Sequence, residues 1–147
     1  MNSKLEQAVH LLKKQKYSCV ILIEGKEPEC SNEIGIKPLM TKLRGDMHFF
    51  ENGVIADKVV GKAAALMAVL GGAQAVYGEV MSESAKGVLE EHDVEYSYHT
   101  LVPYIENRTK TGRCPLEESV VNVENPKEAF GILEKTIEGL MRKGSAK

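Results

Sequence analysis

The chain predicts an α/β fold: a three-layer α/β/α sandwich with a mixed sheet, in one domain over residues 1–147. Three observations predict it. Residues 59–70, VVGKAAALMAVL, carry a single charge; a helix apolar on nearly every face belongs in the middle of a fold. Residues 18–23, SCVILI, form a short β-rich apolar run, the pattern of a central strand. Residues 73–99 alternate strand, helix and strand, which reads as a right-handed parallel crossover.

Each element follows from local pattern. In residues 4–16, Leu5, Ala8, Val9 and Leu12 fall on one stripe, so an amphipathic helix packs there. Glu24-Gly25-Lys26 is a turn, and residues 28–32 form an edge strand paired back as a hairpin. Residues 36–44 read as a short helix, with Pro38 in its first turn. Asn52-Gly53, within residues 47–55, is a tight-turn dipeptide. Asp57 is placed as the N-cap of a helix over 58–70, which Gly71-Gly72 ends. Residues 73–77 are a strand, Ser82 caps a helix to about residue 91, and residues 94–99 alternate as a strand. Residues 100–113 have no clear period and read as a surface loop. Cys114-Pro115-Leu116-Glu117 and Asn125-Pro126-Lys127-Glu128 are helix entries, the second opening a final helix to about residue 142.

Composition sets limits. The length of 147 residues can bury a real core without disulfides or metal. A net charge of -2 gives no global attraction to nucleic acid or acidic membranes. There is no Trp, so base-stacking platforms are scarce. Cys19, Cys30 and Cys114 are odd in number and widely spaced, and fit no disulfide framework or zinc motif. Residues 1–16 lack the apolar core of a signal peptide, and the longest apolar run, residues 63–75, is short for a membrane span. A cytoplasmic protein is expected.

Asp57-Lys58-Val59-Val60-Gly61-Lys62-Ala63, with Thr100-Leu101-Val102-Pro103, Asn107-Arg108 and Gly112-x-Cys114-Pro115-x-Glu117, resembles a small prokaryotic domain-of-unknown-function family of cytidine deaminase-like fold. The resemblance covers almost the whole chain. It implies that fold and no particular activity. Zinc deaminases need H-x-E at the start of one helix and P-C-x-x-C at the start of the next. Here the helix starts read Val60-Gly61-Lys62 and Met81-Ser82-Glu83-Ser84-Ala85, no histidine is followed two residues later by Glu, and there is no C-x-x-C. No metal or other cofactor is expected.

Lys62 is the most informative residue, because a lysine in an apolar helix needs an exit, a partner or a task. With Asp57 and Lys58 it forms a candidate ligand-binding cluster, and a lysine of lowered pKa can serve as base or nucleophile. The plainer reading pairs Lys62 with a carboxylate at the rim. Cys114 is the second catalytic candidate, since a helix start and nearby cations favour thiolate; an inward-packed cysteine is the commoner arrangement. Asn107 and Arg108 are candidate ligand-binding residues on the loop, with Arg108 able to clamp an anion in bidentate fashion. Glu117 is expected to close a capping box on position 114. Gly61 leaves room for a close approach or a ligand.

Two functions follow. The first is a pocket without zinc that binds a small anionic or nucleotide-like molecule, with or without turnover. The second is a non-catalytic module working through a protein partner or as a homodimer, since deaminase-like domains often self-associate. Nucleic acid polymers and membranes are not expected partners.

Overall fold

The computed structural model describes residues 3–33, 35–106, 112 and 114–142. Its elements run α1 (Ser3–Lys14), β1 (Cys19–Ile23), β2 (Glu29–Ser31), α2 (Lys37–Gly45), β3 (Gly53–Val60), α3 (Lys62–Leu70), β4 (Ala75–Ser82), α4 (Glu83–Glu91), β5 (Glu95–Val102), α5 (Pro115–Ser119) and α6 (Pro126–Arg142). The five strands form one mixed sheet in the order β2-β1-β3-β4-β5. β1 is antiparallel to both β2 and β3, whereas β3, β4 and β5 are parallel.

Apolar patterning assigns the layers. α1 buries Leu5, Ala8 and Leu12 against Val20, Leu22, Val54, Ala56, Ala75 and Tyr77 on one face of the sheet. The opposite face, with Ile21, Ile55 and Val76, packs into a larger core with α2, α3 and α4. α3 contacts β3 and β4, is flanked by α2 and α4, and is covered by α5 and α6. That placement explains its composition: a helix with neighbours all round has no solvent face to make polar. Alanines at 63, 64, 65 and 68 let those neighbours approach, while Leu66 and Met67 fill the gaps.

The expected ends of α3 divide. Its C-terminus follows the two glycines: Gly72 has φ +85, its N–H donates to the Val69 carbonyl, and the Ala73 N–H donates to the Ala68 carbonyl. This is a Schellman closure. Its N-terminus does not follow expectation. Asp57 caps no helix; it lies in β3, opposite Cys19 on β1 and Gly78 on β4. The run Gly53–Val60 is the central strand of the sheet, and the polar pair Asp57-Lys58 disguised it as a helix entry. β-Branched Val54, Ile55, Val59 and Val60 suit the pleated sheet, and the helix begins only after Gly61.

Other elements agree more closely. β2 pairs as the edge of a hairpin with β1, and β4 and β5 form the parallel crossover. Ser82 caps α4, its hydroxyl accepting the Ala85 N–H at 3.1 Å. The Asn125 side chain accepts the Glu128 N–H at 3.0 Å at the start of α6. β5 continues to Val102, so the first residues of the expected loop belong to the sheet. Among the described residues, no helix is long and apolar enough to cross a membrane.

Leu66 is fully buried in α3 between the sheet and its outer helices. Leu66→Ala leaves a cavity that close neighbours cannot collapse, and is expected to lower stability by about 2–5 kcal/mol in urea unfolding, with the slope unchanged.

Candidate functional site

The carboxyl ends of β3, β4 and β5 lie beside the first turns of α3 and α4, the side of an open α/β sheet where ligands usually bind. The start of α3 is chemically unusual. Its N-cap is Gly61, which has no side chain to accept the orphan N–H groups of the first turn. Glu117 on α5 supplies the missing acceptor. Its carboxylate accepts the Lys62 N–H on Oε1 at 2.6 Å and the Ala63 N–H on Oε2 at 3.0 Å. A carboxylate there also meets the positive end of the helix dipole.

Gly61 is what allows this approach. A Cβ at position 61 would overlap the carboxylate carbon and both oxygens of Glu117. The expected room beside Gly61 therefore exists, and a side chain of the same chain occupies it. The Cys114 N–H that a capping box would use donates to the Ile105 carbonyl, and Glu117 reaches past its own helix to α3.

Lys62 is buried, and its ammonium donates to the Val121 carbonyl at 3.0 Å and to Glu124 Oε2 at 2.9 Å. Glu124 is largely exposed, so the pair sits at the rim. Lysine at a helix start opposes the dipole, and Glu117 and Glu124 compensate it. The remaining cleft, about 80 Å³, is lined by Lys62, Ser84, Pro103, Tyr104, Glu117 and Val121. Pockets for drug-sized ligands are roughly 300–1,000 Å³.

Asp57, Lys58 and Cys114 do not line this cleft. Lys58 is exposed on β3 and does not line the cleft. Cys114 is half-buried at the N-cap of α5, with its N–H donating to the Ile105 carbonyl at 3.0 Å, and it too is outside the lining. Asn107 and Arg108 lie outside the described residues. The rim carboxylate expected for Lys62 is Glu124; sequence reasoning missed the Val121 carbonyl and the role of Glu117 as acceptor for α3. Gly61 immediately before a buried helix was the available signal, because it announces a helix start needing a foreign acceptor.

Asp57 forms a separate polar site. Its carboxyl is buried in the sheet, accepts the Val59 N–H at 3.3 Å and bonds the Cys19 thiol. Burial pushes its pKa up to about 7, against the smaller opposing effect of these hydrogen bonds. Burial, reinforced by the neighbouring carboxyl, raises the Cys19 thiol as well. Cys19 also borders a shallow groove of about 200 Å³ between the β1–β2 hairpin and α2, spanned at 2.8 Å by the Lys42–Glu29 ion pair. Among the described residues, no group of three His, Cys, Asp or Glu side chains is arranged to hold a metal.

The architecture and the sequence together identify relatives. The family model for TM1506, a domain of unknown function (DUF1893), matches residues 7–137. The chain belongs to the DUF1893 family. A crystallised DUF1893 protein from Thermotoga maritima shares its fold, with a TM-score of 0.82, 24% identity, and coverage of 92% of this chain and 90% of that one. No curated protein matches the chain. The DUF1893 assignment establishes the family and the mixed-sheet α/β fold.

Asp57 sets a pH dependence whose sign is fixed. Its folded pKa is about 7, above the ordinary 3.8, so the folded state holds the proton more tightly. The stability this provides is fully present below about pH 4 and lost as pH rises through 7, with a slope of at most about 1.4 kcal/mol per unit. Asp57→Asn is expected to abolish that slope, as measured by urea unfolding between pH 4 and 8.

Proposed function

We propose that this DUF1893 domain is a non-catalytic module on a cytidine deaminase-like fold, acting through a protein partner or a second copy of itself, with its ancestral pocket filled from within. The deaminase-like reading is supported by the β3-α3-β4-α4-β5 unit, whose two helix starts correspond to the places where a zinc deaminase carries H-x-E and P-C-x-x-C. Here those starts carry Gly61-Lys62 and Ser82-Glu83-Ser84.

One observation carries the functional reading. The two N–H groups that would receive a ligand anion at the start of α3 are already bonded to the Glu117 carboxylate. The cation that would assist them is committed to Glu124 and the Val121 carbonyl. What remains of the cleft is too small for a nucleotide. Fold does not dictate chemistry, and a pocket can persist as a packed structural element.

A thermal-shift screen of nucleotides, nucleosides and sugar phosphates tests this on wild type and Lys62→Ala. No compound is expected to raise the wild-type melting temperature, whereas Lys62→Ala is expected to lower it by several degrees, because Glu124 and the Val121 carbonyl lose their donor. A compound that stabilises wild type and not the variant would sink the non-catalytic reading.

A further inference from the structure

The cleft at the carboxyl ends of the parallel strands is closed by one short stretch, residues 114–124. α5, at its centre, contributes no fully buried side chain among its five residues. Val120 is the one fully buried side chain of the stretch, with Leu116 and Val123 partly buried against the same core. The polar ties of the stretch run from the Cys114 N–H to the Ile105 carbonyl and, for the rest, to the first turn of α3. The Lys62 N–H holds Glu117, and the Lys62 ammonium holds the Val121 carbonyl and Glu124. Ala63 adds the second N–H to Glu117.

We propose that residues 114–124 form a latched strap, held by Lys62 through Glu117, the Val121 carbonyl and Glu124, which opens locally when the Glu117 carboxylate leaves the start of α3 while the sheet stays folded. This rests on the filled-pocket reading and adds a conformational device to it. Segments with few buried apolar groups open at lower free energy than the core they cover, and this strap has one fully buried apolar anchor. The sheet beneath it draws its stability from two apolar clusters, one of which the strap does not touch and the other of which it meets only through Val120, Leu116 and Val123. Gly61 makes the latch possible, because the carboxylate rests where a side chain at position 61 would lie. Opening uncovers two backbone donors and the Lys62 ammonium together.

Native-state hydrogen exchange read by mass spectrometry tests the strap. In wild type under mild denaturant, amides of residues 118–124 are expected to open at lower free energy than those of β3 and β4; coincident opening overturns the proposal. Glu117→Ala is expected to speed exchange in 118–124 and at Lys62 and Ala63 by about tenfold or more, leaving β3 and β4 unchanged. Sodium acetate should slow it again, and sodium chloride at matched ionic strength should not. Gly61→Ala, which displaces the same carboxylate, should give the same local pattern. Unchanged rates, or equal acceleration throughout the sheet, would show an ordinary structural tie. Ligand stabilisation defeats the filled-pocket reading and the exchange pattern defeats the strap, so the two failures are separate.

Discussion

A helix packed on every side leaves its orphan first-turn N–H groups little access to water, so they need acceptors within the protein. In this domain that constraint falls on α3, and Gly61 supplies no cap of its own. The Glu117 carboxylate meets it from an element more than fifty residues away in sequence. Much of the upper end of the molecule is arranged around that contact. It sets where α5 lies, why position 61 bears no side chain, and why Lys62 can be buried beside a positive dipole end with Glu124 balancing it at the rim.

The second polar compromise lies lower in the sheet. Asp57 occupies a central strand position where burial disfavours its ionised form, and the Val59 N–H and the Cys19 thiol relieve only part of that cost. The two sites differ in kind. Glu117 is tied to a helix start that attracts its negative charge, whereas Asp57 sits in an environment that resists charge. The first organises the carboxyl ends of the parallel strands, and the second couples the sheet to pH.

Legibility in the sequence followed the range of the forces involved. The amphipathic stripe of α1, the glycine closure of α3, the Ser82 and Asn125 caps and the parallel β4–β5 crossover are local patterns, and each was readable from neighbouring residues. The β3 strand was not. Its Asp57-Lys58 pair imitates a helix start, and only pairing with β1 and β4 outweighs that local signal. Of the candidate site, Lys62 was legible because a lone charge in an apolar helix demands a partner. The partner's identity was not, because Glu124 and Val121 come from the turn between α5 and α6.

By itself the sequence determined that this is a mixed α/β fold around a central helix apolar but for Lys62, that it carries neither H-x-E nor C-x-x-C, and that Lys62 needs a partner. Periodicity and residue chemistry carry that information because they act over a few positions. Only the tertiary structure decided that the anion at that helix start is Glu117, that the cleft is reduced to about 80 Å³, and that Asp57 belongs to the sheet. Those outcomes depend on which distant segment reaches a given donor first, and chain geometry in three dimensions sets that order.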